Sequence, residues 1–160
     1  PEQGLDVDSM IDALQPAGAI YFSMDEADVE RILAHPQTMI GSDGLPHDTF
    51  PHPRLWGAFP RVLGHYARKR GLFSLETAVH KMTGLPAARF GLQGRGLVQP
   101  GYAADLVVFD PERIIDAATF AEPLRSATGI QRVYVNGALA WHEDGGTGAR
   151  AGQVLRRAAE

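Results

Sequence analysis

Apolar residues recur three and four positions apart in several stretches of the chain, the spacing of one face of a helix. Two caps are visible: Ser23 with Glu26 forms a capping box, and Ser74 opens a later helix that Gly84 ends. The predicted helices cover residues 6–14, 25–34, 55–70, 75–83 and 86–90. Their inward positions are Phe59, Val62, Leu63 and Tyr66 in the third, and Leu75, Ala78, Val79 and Met82 in the fourth.

Short apolar runs before and after the second helix predict strands at residues 17–22 and 38–42. A strand, a helix and a strand joined by short connections form a βαβ unit, whose crossover makes the two strands parallel. The first part of the chain is therefore predicted to be α/β.

The pattern changes at Gly91, where glycines begin to punctuate the chain. Residues 106–109 predict a compact strand, and residues 133–135 and 138–141 flank Asn136-Gly137, a strong signal for a tight hairpin. Residues from about 95 onward predict a small β module, and residues 145–160 a surface-lying end.

Composition limits the partners. The 160 residues are 44% apolar and 21% charged, with net charge −4 and no basic tract, so nucleic acid and anionic membranes are not expected partners. The absence of cysteine excludes disulfides and thiolate metal sites within this chain. No signal peptide or membrane span is recognisable, which makes the cytoplasm the expected location. The start without methionine predicts a piece of something longer.

The loop after the predicted strand 38–42 carries the candidate chemistry. Asp43 follows that strand directly, as catalytic carboxylates do when a rigid scaffold aims them into a cleft. The alternative is an ordinary Asp-Gly turn formed with Gly44. His47, Asp48 and His52 could bind metal, but the spacing is not a helical pair and three prolines restrict the loop. These three residues are more typical of turn caps or a cleft entrance.

Five segments of the chain carry family motifs: residues 39–44, 52–54, 74–92, 101–110 and 133–137. The more discriminating pair is Gly-Ser-Asp-Gly followed by His-Pro-Arg, and the Ala-Asp-Leu-Val-Val-Phe and Val-Asn-Gly pieces are shared more widely. Together these motifs resemble the C-terminal part of the D-aminoacylases, N-acyl-D-amino-acid deacylases of the amidohydrolase superfamily.

The resemblance implies a zinc-bearing (β/α)₈ barrel joined to a small β-sandwich. On that basis residues 1–94 would be the last β/α units of the barrel, and residues 95–160 would be part of the sandwich. The family's main His and Cys metal ligands lie on earlier strands and have no counterpart in this chain. Of the positions that match the family, Asp43 is the one that could still be a zinc ligand.

The resemblance also implies roles for two side chains. Asp43 would face a zinc-bound water, accept its proton and return that proton to the departing amine. Arg54 would hold the α-carboxylate of an N-acyl-D-amino acid through planar, bidentate donors, and its alternative is a surface salt bridge. Trp56 and Phe59 could wall an acyl pocket, but core packing is the preferred interpretation.

Two other interpretations stay open. One is another amidohydrolase, such as a dihydropyrimidinase-like cyclic amidase, against which the His-Pro-Arg segment argues. The other is a structural or interaction module without activity of its own. An opened barrel would expose strand edges and apolar faces, so self-association of this piece is expected.

Overall fold

The computed structural model describes residues 6–14, 20–48 and 50–156. Its helices are α1 (Val7–Leu14), α2 (Glu26–Ala34), α3 (Arg54–Arg61), α4 (Leu75–Met82) and α5 (Gly84–Phe90). A π-helix, Val62–Lys69, continues α3 without a break. The strands are β1 (Leu106–Phe109), β2 (Ile130–Val135), β3 (Ala138–His142) and β4 (Gly145–Gly146). The chain thus contains both helices and strands, which confirms the coarse α/β class, but the helices occupy its first part and the strands its second.

The four strands form one antiparallel sheet in the order β1-β2-β3-β4. Asn136 and Gly137 make the turn between β2 and β3 with φ of 47° and 82°, the left-handed values that a tight hairpin turn requires. The predicted strand 106–109 and the predicted hairpin are confirmed. Bulges interrupt the register between Val108 and Phe109 and between Val133 and Tyr134.

The structure does not confirm the predicted parallel βαβ unit in the part of the chain that it describes. Residues 20–22 and 38–42 belong to no helix or strand, and residues 17–19 of the first predicted strand lie outside the described residues. A strand needs neighbouring backbone partners. Here the amide of Ile40 instead donates to the carbonyl of Lys81 in α4, 3.2 Å away.

The helix predictions hold with two corrections. Asp25, not Ser23, is the N-cap of α2, because the Asp25 carboxylate accepts from the amide of Ala27 at 2.8 Å. Ser74 caps α4 as predicted, accepting from the amide of Thr77 at 3.2 Å. The predicted helix 55–70 changes from α to π shortly after Pro60, which has no N–H to donate within the helix.

The core lies between the π-helix and α4. Its buried members are Val62, Leu63, Tyr66, Ala67, Ala78 and Ile114. The predicted inward positions Val62, Leu63, Tyr66 and Ala78 are therefore confirmed. The prediction that Phe59 points inward is wrong, since 42% of this residue is exposed. No helix among the described residues is both long and apolar enough to span a bilayer.

Candidate active site

Asp43 directly follows residues 38–42 and has a left-handed backbone conformation, with φ of 48°. Only aspartate, asparagine and glycine adopt this conformation readily, because a short polar side chain offsets the steric cost. The turn continues through Gly44, whose amide donates to the hydroxyl of Ser42 at 3.2 Å. The carboxylate of Asp43 is 80% exposed, so the turn presents it outward.

Arg54, the first residue of α3, holds Asp43 at two points. Its Nε donates to the main-chain oxygen of Asp43 at 2.8 Å, and its Nη2 lies 2.8 Å from the Asp43 carboxylate. One guanidinium thus fixes both the backbone and the side chain of a residue in an uncommon conformation. The structure therefore brings the two predicted site residues together. The observed contact is the salt bridge anticipated as the alternative for Arg54, with Asp43 as its partner.

A close backbone approach holds the loop against the start of α3. A Cβ added to Gly44 would lie 2.7 Å from Cδ1 and 2.9 Å from Cα of Leu55. Glycine is therefore required at position 44 for the turn to pack against the helix that carries Arg54. This contact sets the separation across which Arg54 reaches Asp43.

His52 lies in the same loop but acts as a cap and a packing residue. Its Nδ1 accepts from the amide of Arg54 at 3.0 Å, so it caps the first turn of α3. Its ring packs edge-on against Phe120, with centroids 5.1 Å apart, and Phe120 contacts Phe22 in the same way at 5.0 Å. Burial lowers the pKa of His52 below its ordinary value, and the charge of Arg54 lowers it further.

The described residues do not by themselves fit a complete zinc site. A catalytic zinc takes three protein ligands around an open position. Within residues 6–14, 20–48 and 50–156, no three His, Asp or Glu side chains come close enough to share a metal ion. Asp43, His47, Asp48 and His52 are included in that range, so this loop does not assemble a ligand set from its own residues.

The aromatic and histidine side chains of the following helices differ in how far they are buried. Core packing was the preferred interpretation for Trp56 and Phe59, but Trp56 is 46% exposed and Phe59 is 42% exposed. His65 is half-buried and packs edge-on against Tyr66, with ring centroids 4.9 Å apart. His80 is exposed.

Lys81 is the charged residue that the sequence reasoning missed. Only 1% of it is exposed, and it lies in α4 three positions after the fully buried Ala78. That spacing places it on the inward face of the helix and was the available signal. A charged residue at such a position requires hydrogen-bonding partners inside the protein.

The amidohydrolase family profile matches residues 5–140. The chain is 66% identical over 158 residues to a D-aminoacylase of Alcaligenes xylosoxydans xylosoxydans, covering 99% of this chain and 33% of that protein. It is 55% identical over 154 residues to an N-acyl-D-aspartate deacylase of the same organism, covering 96% of this chain and 31% of that protein. The chain spans about a third of the length of the curated relatives that it matches.

Solved structures agree. A D-aminoacylase described with a binuclear metal centre matches with a TM-score of 0.91 and 65% identity, over 98% of this chain and 33% of that one. A second match is an N-acyl-D-glutamate deacylase of Bordetella bronchiseptica, complexed with zinc and a phosphonate inhibitor that mimics the tetrahedral intermediate. It matches with a TM-score of 0.86 and 55% identity, over 91% of this chain and 30% of that one. The resemblance to D-aminoacylases is thereby confirmed, and the chain belongs to the amidohydrolase family.

Proposed function

We propose that the full protein hydrolyses the amide bond of N-acyl-D-amino acids, giving a carboxylate and a free D-amino acid. The observation that carries the proposal is the 66% identity to a D-aminoacylase over 99% of this chain, which includes the loop from Asp43 to Arg54. Because the chain spans about a third of that relative, the activity is assigned to the full protein and not to these 160 residues alone.

The proposed role of Asp43 is proton transfer. Its exposed carboxylate can accept a proton from the water that attacks the amide carbonyl, and it can then return the proton to the departing amine. The left-handed turn and the contacts from Arg54 support this role, because a catalytic group must be held in one orientation before the substrate arrives.

The proposed role of Arg54 combines two functions. It holds Asp43 in the arrangement described, and its guanidinium, 38% exposed, can turn toward the α-carboxylate of a bound substrate. The pairing with Asp43 would then be the resting arrangement. A lysine could not replace it, because a single ammonium cannot hold the main chain and the carboxylate of Asp43 in the same fork geometry.

Zinc is proposed as the cofactor of the full protein on the strength of the relatives. The described residues lack a complete ligand set, so the main ligands are assigned to the part of the relatives that this chain does not span. Asp43 is the candidate that this chain would contribute.

The wider fold is proposed in the same way. Residues 1–94 would form the last β/α units of a (β/α)₈ barrel, in which residues 38–42 would pair with strands from elsewhere in the protein. Residues 95–160 would form part of a β-sandwich, a proposal supported by the four-stranded antiparallel sheet.

Self-association of the 160-residue chain is also proposed. Large apolar side chains stand well exposed, among them Tyr21 at 83%, Phe22 at 82% and Phe50 at 68%. Covering such groups is favourable, whether a second copy or the remainder of the protein covers them. We also propose that the protein is located in the cytoplasm.

The full reading frame provides the test of function. We expect the purified protein to contain zinc, to hydrolyse N-acetyl-D-methionine, and to leave the L-enantiomer essentially uncleaved. Removal of metal by a chelator should abolish turnover, and added zinc should restore it. Cleavage of cyclic amides such as dihydrouracil in place of the D-substrate would favour the cyclic amidase. Stable folding without any hydrolysis would favour the structural module.

Arg54→Lys should lower kcat/KM for N-acetyl-D-methionine about 10- to 100-fold, the effect of losing charge-assisted hydrogen bonds of about 1.5–3 kcal/mol. Initial rates measured across substrate concentrations provide the test. Arg31→Lys is the matched control, because Arg31 forms an exposed ion pair with Asp28 one turn away in α2. A value for Arg54→Lys within twofold of the unmodified protein would contradict both proposed roles of the guanidinium.

A further inference from the structure

Lys81 is a buried cation that the proposed reaction does not use. Its side chain is 99% removed from solvent, although lysine is almost never fully buried without a partner. Its Nζ donates to the main-chain oxygen of His35 at 2.5 Å and lies 3.3 Å from the main-chain oxygen of Thr38. The ammonium also lies 5.8 Å from the ring centroid of Phe73. Its partners are thus two carbonyl groups and an aromatic face.

These two carbonyls belong to the connection between α2 and the segment that carries Asp43. His35 is the C-cap of α2, and its carbonyl also accepts from the amide of Thr38 at 3.0 Å. The C-terminal end of a helix carries partial negative charge, so a cation is favourable there. Burial lowers the pKa of Lys81 below its ordinary value, which is the cost of removing the ammonium from water.

The main chain of Lys81 holds the same segment a second time. Its carbonyl accepts from the amide of Ile40 at 3.2 Å, three residues before Asp43. One residue of α4 therefore contacts the connection at positions 35, 38 and 40. Residues 38–42 have no sheet partner in the described part of the chain, so these contacts with α4 help to hold them there.

We propose that Lys81 is a positioning residue that fixes the segment 35–40 and so determines where Asp43 is presented. Asp43 is then held from both sides, by α4 through this segment and by α3 through Arg54. The expected effect on catalysis rests on the proposed function. The expected effect on the rigidity of residues 35–40 rests on the geometry alone.

The test uses the full-length protein with Lys81→Met, which keeps the length of the side chain and removes its N–H donors. We expect amide hydrogen exchange in residues 35–43 to accelerate at least tenfold, with exchange in α3 unchanged. We also expect kcat for N-acetyl-D-methionine to fall about tenfold at an unchanged KM, the effect of a misplaced catalytic group. Lys81→Gln, which retains N–H donors, should recover part of both effects.

Lys69→Met is the matched control, because Lys69 is exposed on the π-helix and should leave exchange and kinetics unchanged. If Lys81→Met does not fold, Lys81→Gln is measured in its place, with the same effects expected in weaker form. A lower Tm with normal exchange in residues 35–43 and normal kcat would show a general stabilising role and overturn the proposal. If the unmodified protein cleaves no N-acyl-D-amino acid, the proposed function fails, while the exchange measurement still decides the role of Lys81.

Discussion

Asp43→Asn is expected to lower kcat for N-acetyl-D-methionine about 10²- to 10⁴-fold in the full-length protein, the range for loss of a general acid–base group. Asparagine occupies nearly the same volume and tolerates the left-handed backbone at this position, so the fold of the turn should persist. The bond from Arg54 Nε to the main-chain oxygen at position 43 does not depend on the side chain and should also persist. The substitution therefore removes the carboxylate charge and should leave the backbone of the turn unchanged.

The measurement is steady-state kinetics together with thermal unfolding and zinc content. Asp48→Asn is the control, since Asp48 is an exposed acid in the same loop and should change kcat less than twofold. If Asp43→Asn loses zinc as well as activity, Asp43 is a metal ligand. If it keeps full activity, the ordinary Asp-Gly turn is the correct interpretation of this residue.

Local patterns predicted the elements that depend only on neighbouring residues. The hairpin followed from Asn136-Gly137, because few other residue pairs adopt two consecutive positive φ angles at low cost. The start of α4 followed from Ser74, whose hydroxyl satisfies a free amide of the first turn. Such signals are contained within a few residues, so the sequence displays them directly.

The predictions that failed depend on distant partners. The apolar run at 38–42 has the composition of a strand, but a strand exists only when another backbone pairs with it. Here the amide of Ile40 donates instead to the main-chain carbonyl of Lys81 in α4. The choice between Ser23 and Asp25 as the cap of α2 depended on which residue stands next to Glu26, the first helical residue. Both residues are good caps, so composition alone could not separate them.

The candidate site was predictable in its residues but not in its arrangement. The sequence motif singled out Asp43 and Arg54 separately, as a carboxylate and a guanidinium with different roles. Their direct pairing depends on the turn at Gly44 packing against Leu55, a contact between residues eleven positions apart that no periodicity reveals. The partners of Lys81 were hidden for the same reason, because they are main-chain carbonyls 43 and 46 residues away in sequence.

Gly64→Ala should destabilise the protein by about 2 kcal/mol or more, as insertion of an extra methyl into a packed core does. Gly64 is buried in the π-helix, where its missing side chain lets the helix touch the main chain at Ile114 and Ile115. An added Cβ would overlap the carbonyl oxygen of Ile114, and it would lie 2.6 Å from Cδ1 and 3.0 Å from Cα of Ile115. Two of these three contacts are with backbone atoms, which cannot rotate aside as a side chain could.

The consequence reaches the whole core, because Ile114 is 1% exposed and belongs to the same cluster as Val62 and Tyr66. Thermal inactivation of the full-length protein should therefore shift down by several degrees for Gly64→Ala. Gly152→Ala is the control, since a Cβ there meets no atom within 4 Å. Below the unfolding temperature kcat should remain within twofold of normal, because Gly64 lies in the π-helix and is not part of the turn at Asp43. A variant as stable as the control would show that the helix can move away from residues 114–115, and the close packing described at this position would be wrong.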